Sequence, residues 1–171
     1  RMMQIEQIYR DNYKAILLFI YHMSGDYHLA EDIAQDVFIK AIENTLGERK
    51  VLTRGWFYTV ARNRFFSVMK RKKNISTLQP EEINQILDYQ DCINKNEPEE
   101  YVLGKEQSEE IKQTLLKLCE NHRIALILRE YMNLTLPEIA EILGVKESHA
   151  KQLLYKARQR FKIEYGGNHN G

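Results

Sequence analysis

The sequence predicts an all-α protein of two small helical domains joined by an acidic linker, with a helix-turn-helix in the C-terminal domain. Apolar residues recur at intervals of three and four, and no alternation of apolar and polar residues persists. The segment TLPEIAEILGVKESHAKQLLYKARQRF, residues 135–161, has the form of two short helices around a glycine turn. We expect domains at 1–74 and 106–165, a linker at 75–105 and a disordered tail at 166–171.

The net charge of +1 is the sum of three unlike segments. Residues 1–74 hold 13 Lys and Arg against 8 Asp and Glu, residues 75–109 hold 2 against 9, and residues 110–171 hold 10 against 7. Two basic domains on either side of an acidic connector indicate an anionic partner for the domains.

Composition favours a cytoplasmic protein, and no cofactor or metal is expected. No stretch approaches the roughly 20 apolar residues of a membrane span, and the first residues lack the apolar run of a signal peptide. The two cysteines, Cys92 and Cys119, form neither a CxxC motif nor a disulfide framework. We therefore expect a reducing compartment and no membrane insertion.

Three helices are expected in the first domain, at about 5–23, 27–45 and 56–72. The turn SGD separates the first two, and the polar loop GERKVLTRG precedes the third. Periodicity weakens over about 74–96, which predicts a mostly irregular segment. Helical stripes return after Pro98 and lead into the helix-turn-helix.

The second expected helix combines an apolar core face with an acidic outer face. On the outer face, Ile39 is surrounded by polar residues, namely Asp32, Gln35, Asp36 and Glu43. An apolar residue ringed by acids suits a basic protein partner, although a solvated acidic face with one incidental isoleucine gives the same pattern. The carboxylates of Glu31, Asp32 and Asp36 could also suggest metal-dependent catalysis, but no histidine at ligand spacing joins them.

The third expected helix, WFYTVARNRFFSVMKRKK, has more aromatic residues than one core face needs. Its second stripe mixes aromatics, cations and a methionine, namely Tyr58, Arg62, Phe66, Met69 and Lys73, with Asn63 nearby. Interleaved aromatics and cations favour single-stranded nucleic acid, because aromatic faces stack on unpaired bases and cations follow the backbone. In the alternative, Tyr58 and Phe66 are buried against neighbouring helices and the KRKK run is simply solvated.

The helix-turn-helix has recognisable ends. Thr135 and Glu138 form a predicted capping box, and Pro137 fits the first turn, where backbone amides have no helical partner. Gly144 supplies the left-handed residue that ends the first helix.

The second helix of the motif, starting near Glu147, has two unlike faces. Its apolar residues share one face, namely Ala150, Leu153, Leu154, Ala157 and Phe161. The other face and its flanks are polar or cationic: Ser148, His149, Lys151, Gln152, Tyr155, Lys156, Arg158 and Gln159. Such a helix suits the major groove of DNA, although a helix pair that only packs has similar residues.

Three features in this order resemble the extracytoplasmic-function sigma factors, bacterial initiation subunits of RNA polymerase in the sigma-70 family. The matching segments are AEDIAQ at 30–35, WFYTVARN at 56–63, EIAEILG at 138–144 and KQLLYKAR at 151–158. The resemblance covers nearly the whole chain apart from the linker and tail. It implies a protein with no catalytic chemistry whose partners are core RNA polymerase, promoter DNA and an anti-sigma factor.

The resemblance also implies three sets of site residues. The acidic helix would bind a coiled coil of the polymerase through Asp32, Gln35, Asp36 and Ile39. The aromatic helix, with loop residues 48–53, would hold the melted minus-ten strand through Trp56, Tyr58, Arg62, Asn63 and Phe66. The last helix would read the minus-thirty-five duplex through Ser148, His149, Lys151, Gln152, Tyr155 and Lys156. The acidic linker would thread toward the polymerase active-site channel.

The chain departs from the family pattern at helix caps and in the recognition helix. Lys146 stands where the family often has serine, so the cap is expected to shift to Ser148. Leu153 fills a commonly basic position, and Asn121 is the expected cap of the helix before the motif. A one-component helix-turn-helix regulator is the alternative, but it leaves the acidic helix and the aromatic stripe unexplained.

Overall fold

A computed structural model describes residues 2–48, 52–72 and 108–170. In these residues the chain forms seven α-helices and one π-helical turn, which confirms the all-α prediction. The elements are α1 (Met2–Ser24), α2 (Tyr27–Glu48), α3 (Arg54–Lys72), α4 (Ser108–Lys117), α5 (Glu120–Leu126), the π-helical turn (Ile127–Tyr131), α6 (Leu136–Leu143) and α7 (Glu147–Asn170). The expected irregular linker lies outside the described residues.

Helices α1 to α3 form the N-terminal lobe. Gly25, at φ +70°, ends α1 in the left-handed conformation, and the Asp26 carboxylate accepts the Leu29 amide at 3.1 Å to start α2. Both the backbone carbonyl and the side-chain hydroxyl of Thr53 accept the amide of Trp56, so α3 begins at Arg54, two residues earlier than predicted. The lobe's fully buried side chains include Phe19, Ile20, Ile33, Val37, Phe57 and Phe65.

Helices α4 to α7 form the C-terminal lobe around a buried arginine. The Arg123 guanidinium is fully buried and donates to the backbone carbonyls of Leu115, Leu116 and Leu118. These carbonyls belong to the end of α4 and the turn after it, where helical carbonyls often lack a backbone donor, although Leu115 also accepts the Leu118 amide at 3.1 Å. Burial of this charge is therefore compensated by hydrogen bonds.

The two lobes are packed together. Helix α1 contacts α4 and the π-helical turn, while α3 contacts α6. Buried residues of both lobes form one continuous hydrophobic cluster. The charge pattern suggests two separate domains. In this structure, however, the two lobes share one hydrophobic core.

Three expectations about helix ends are wrong. Helix α7 continues to Asn170 instead of giving way to a disordered tail at 166, and the Tyr165 hydroxyl reaches the Glu110 carboxylate of α4 at 3.4 Å. Helix α5 begins at Glu120 with Cys119 at the cap, so Asn121 lies inside it. Because α7 already begins at Glu147, Ser148 is a residue of its first turn and not its cap.

Candidate nucleic-acid and protein interfaces

The acidic face of α2 places three of its four predicted residues in solvent. Asp32 and Gln35 are exposed, and Ile39 is 55% exposed. Asp36 is only half-buried but is not free, because its carboxylate accepts Arg64 Nε of α3 at 2.9 Å. Asp36 therefore links the acidic helix to the aromatic one.

Two further apolar residues extend this face and were missed from the sequence. Ile42 is 38% exposed and Leu46 is 56% exposed. With Gln35 and Ile39 they form a line at intervals of four, three and four residues, the spacing that places side chains on one helix face and suits a helical partner. The spacing was visible in the sequence, but exposure could be known only from the packing of α2.

The surface of α3 around Asn63 is accessible and bordered by a cleft. Asn63 is exposed, and its carbonyl oxygen accepts Arg62 Nη1 at 3.4 Å. The Arg62 guanidinium lies over the Phe66 ring, 4.9 Å from its centroid. A cleft of about 280 Å³ opens between α2 and α3. Its lining residues are Asp36, Val37, Lys40, Val60, Asn63, Arg64 and Ser67.

The prediction that Tyr58 lies on an open stripe is wrong, and the same holds for Met69. Tyr58 is only 2% exposed and meets the Phe19 ring edge-on at 5.3 Å between centroids. Its burial raises the pKa of the phenol to about 12. Met69 is 6% exposed, and Trp56 and Phe66 are half-buried. The reason is that α3 is covered by α1, by α2 and, at its N-terminal end, by the C-terminal lobe.

Arg54, at the start of α3, carries a contact that sequence reasoning missed. Its guanidinium binds the Glu138 carboxylate in a bidentate pair, with Nε and Nη2 at 2.9 and 2.6 Å from the two oxygens. This hydrogen bond is the main reason that the pKa of Glu138 falls to about 2, with Thr135 contributing. The partners stand 84 positions apart, so no local pattern could connect them.

The helix-turn-helix is confirmed in its local details. The Thr135 hydroxyl accepts the Glu138 amide and the Glu138 carboxylate accepts the Thr135 amide, which completes the capping box. Gly144 adopts the left-handed conformation at φ +68°. These ends fix where α7 begins and which of its sides faces the lobe.

The predicted polar face of α7 is open. Its six site residues are all exposed, namely Ser148, His149, Lys151, Gln152, Tyr155 and Lys156. Arg158, a predicted flanking cation, is paired with Glu130 at 2.8 Å. The opposite face is buried through Ala150, Leu154 and Ala157, while Leu153 is half-buried.

Cations concentrate beside this face. The pKa of His122 in α5 is lowered by its burial and, in addition, by the nearby charges of Lys156 and Arg160. Cations beside an exposed polar helix face suit a partner that carries phosphates.

Neither a metal-ligand cluster nor a membrane span occurs among the described residues. Among them, no group of three or more His, Cys, Asp or Glu side chains is arranged to hold a metal ion. No helix in the described ranges has the length and apolar character needed to cross a bilayer.

Comparison with known proteins gives concordant matches over both lobes. The family model described as "Sigma-70 region 2" matches residues 8–75, and "Sigma-70, region 4" matches residues 108–161. RNA polymerase sigma factor YlaC of Bacillus subtilis (strain 168) is 34% identical over 161 residues, covering 92% of this chain and 90% of the relative. The ECF RNA polymerase sigma factor SigM of the same organism is 29% identical, covering 95% of this chain and 96% of the relative.

A solved structure shares the fold. The sigma factor RpoE of Bartonella quintana, in complex with the anti-sigma factor NepR, aligns with a TM-score of 0.68 at 21% identity. The alignment covers 94% of this chain and 96% of that chain.

Proposed function

Because this chain belongs to the sigma-70 family as an RNA polymerase sigma factor of the extracytoplasmic-function group, we propose that it divides promoter recognition between its lobes. The N-terminal lobe binds core polymerase with α2 and the melted minus-ten strand with α3. The C-terminal lobe reads the minus-thirty-five duplex with α7. The observation that carries the proposal is that α7 exposes all six predicted residues on one face, the cations Lys151 and Lys156 among them.

Core polymerase is proposed to bind the line Gln35, Ile39, Ile42 and Leu46 on α2. Exposed apolar side chains at helical spacing, bordered by Asp32, suit a coiled coil whose own surface is basic. Asp36 contributes through its ion pair with Arg64, which holds α2 and α3 in a fixed relation.

The minus-ten strand is proposed to bind along α3 from Trp56 to Phe66. Asn63 stands at the cleft with an exposed amide that can hydrogen-bond a base edge. The stacked pair of Arg62 and Phe66 can support an unpaired base and a phosphate. Tyr58 is buried against Phe19 of α1 and does not line this surface. Loop residues 49–51, also expected here, lie outside the described residues.

Duplex recognition is proposed for the first three turns of α7. Gln152 and Tyr155 offer hydrogen-bonding groups to base edges, while Lys151 and Lys156 neutralise phosphates. With these contacts the protein directs core polymerase to promoters and performs no chemistry itself. A cytoplasmic location follows from that role, and an anti-sigma factor like the partner in the RpoE complex is a proposed regulator.

Run-off transcription tests this proposal. Purified core polymerase is supplied with the full chain and candidate promoters, and the variant Asp32→Lys/Ile39→Asp is compared with Glu6→Lys, which alters an exposed acid of α1. We expect promoter-directed transcripts with the wild type, and about a tenfold loss of core affinity for the α2 variant alone.

Two results would contradict the proposal. The absence of specific transcripts and of core binding would remove the assignment of all three surfaces. Equal core affinity of the α2 variant and the Glu6→Lys control would remove α2 as the docking surface.

A further inference from the structure

The cleft between α2 and α3 is built by both helices within the N-terminal lobe. Its lining residues recur at intervals of three and four along each helix, at 36, 37 and 40 of α2 and at 60, 63, 64 and 67 of α3. Such intervals place each set on one helix face. The volume of about 280 Å³ far exceeds the roughly 30 Å³ of one water, so an anion of the size of a phosphate can enter.

Two cations and one acid line this cleft. Lys40 is exposed and lies one helical turn after Asp36 on α2. Arg64 is half-buried and comes directly after the exposed Asn63 on α3. Cations therefore outnumber acids along the surface that is proposed to meet a single strand, which favours an anionic ligand.

The acid of the cleft is bound to one of its cations. The Asp36 carboxylate accepts Arg64 Nε at 2.9 Å, and the side chains of Asp36 and Arg64 are 43% and 35% exposed. Because solvent reaches both partners, the pair contributes little to stability and a competing anion can displace the carboxylate. The bond engages Nε and does not commit the two Nη groups, which are also donors.

Arg64 is placed to meet a phosphate of the same strand that Asn63 contacts. Along a nucleic-acid strand every base is attached to a backbone that carries phosphates, so a base held at Asn63 brings a phosphate close to the neighbouring side chain. A guanidinium binds phosphate oxygens through parallel N–H groups, and these bonds are stronger than those between neutral groups. The ion pair with Asp36 competes with that contact.

We propose that Arg64 is a further strand-binding residue, and that Asp36 restrains it by occupying the guanidinium that a backbone phosphate would otherwise bind. The inference rests on the proposed role of α3 in binding the single strand. It gives the ion pair a function in DNA binding in addition to joining α2 to α3.

The restraint affects the balance between affinity and sequence selection. An acid beside a strand-binding arginine weakens binding to every strand alike, because it repels phosphates and competes for the guanidinium. Phosphate contacts carry no sequence information directly, whereas base contacts do. By weakening the phosphate contact, Asp36 leaves a larger share of the affinity to base contacts such as that of Asn63.

The two halves of the ion pair provide the test. Asp36→Asn removes the acid and leaves Arg64 available, whereas Arg64→Gln removes the cation. Either substitution breaks the pair, so a purely structural pair predicts changes in the same direction. The proposal predicts opposite directions. Asp11→Asn, at an exposed acid of α1, is the matched control for the loss of one negative charge.

Affinity of the full chain is measured by fluorescence anisotropy with a labelled single strand of about twelve nucleotides of mixed sequence, between about 50 and 200 mM salt. We expect Asp36→Asn to raise the affinity about twofold to fivefold, the range for an exposed ion pair. Arg64→Gln should lower it about fivefold and reduce the salt slope by about 0.7, the contribution of one phosphate contact. Arg64→Lys should keep the slope, and Asp11→Asn should match the wild type.

The double variant Asp36→Asn/Arg64→Gln tests whether the acid acts through the arginine. Without Arg64, the gain from Asp36→Asn should shrink, because the two residues interact directly. An equal gain with and without Arg64 would overturn the restraint. Circular dichroism of each variant verifies that the helices are intact.

The remaining outcomes separate this inference from the proposed function. Weaker binding by both single variants would overturn the inference and leave the pair a structural link. Unchanged binding by Arg64→Gln would remove Arg64 from the strand surface. Asn63→Ala reports on α3 itself: loss of strand binding retains the proposed role of α3 in either case, and unchanged binding removes that role.

Discussion

Helices α3 and α7 are both proposed to touch DNA, but they differ in how much of the relevant surface solvent reaches. On α7 one side packs on the lobe and the opposite side is open, so Tyr155 is 66% exposed. On α3 three neighbours leave a narrow strip around Asn63, and Tyr58 is 2% exposed. The comparison teaches that one reading surface is open along a whole side of its helix, whereas the other is a narrow strip between packed helices.

The largest expected effect is a difference in protein stability between alanine substitutions of Tyr58 and of Tyr155. Tyr58→Ala removes a buried ring and should lower the free energy of unfolding by about 3 kcal/mol or more. Tyr155→Ala removes an exposed ring and should change it by less than about 0.5 kcal/mol. Urea unfolding followed by circular dichroism measures both. Equal small effects would contradict the burial of Tyr58 against Phe19.

Acid should weaken the contact between the two lobes through protonation of His22, which stacks on Tyr131. Burial lowers the pKa of His22 to about 4, so the neutral ring is the form that the folded state holds. Its contribution is complete above the ordinary pKa near 6.5 and is lost as pH falls toward 4, a difference of about 3 kcal/mol. Glu138, with a pKa of about 2, stays ionised across this window.

The variant His22→Phe keeps a ring against Tyr131 but removes the titration. Scattering and unfolding profiles between pH 7 and 4 should therefore show less expansion and a smaller loss of stability than in the wild type. Identical pH profiles for the two proteins would assign the acid response to other groups.

Substitutions on the open face of α7 should weaken DNA binding and leave the free energy of unfolding nearly unchanged. Gln152→Ala/Tyr155→Ala is expected to weaken binding to a minus-thirty-five duplex by about tenfold to a hundredfold, because each base contact contributes roughly 1–3 kcal/mol. Binding to a pre-melted minus-ten strand should be unchanged. Lys162→Ala, an exposed cation further along α7, is the control. Equal losses on both DNA substrates would contradict the division between the helices.

Local signals account for what could be predicted well. The capping box of Thr135 and Glu138 and the left-handed Gly144 involve residues within a few positions of each other, and the structure has both as expected. The periodicity of α7 likewise identified its open face, because one packed side is the ordinary situation of a surface helix.

The failures come from contacts between distant parts of the chain. Periodicity divided α3 into one inner and one outer stripe, but Tyr58 of the outer stripe is buried with its ring against Phe19 of α1. The pairing of Asp36 with Arg64 and the exposure of Ile42 and Leu46 depend on how α2 lies against its neighbours. No sequence pattern within a single helix predicts these contacts and exposures.

The sequence by itself determined the helical character of the described segments, the capping box and glycine turn of the helix-turn-helix, the fold class and the family, because capping, turn and periodic signals act within a few residues and the family motifs are local segments. Only the tertiary structure decided which faces remain open. Arg54 meets Glu138 across 84 positions, and His22 meets Tyr131 through a π-helical turn. Such contacts depend on the relative placement of whole helices, which is set by the shared core and not by any one segment.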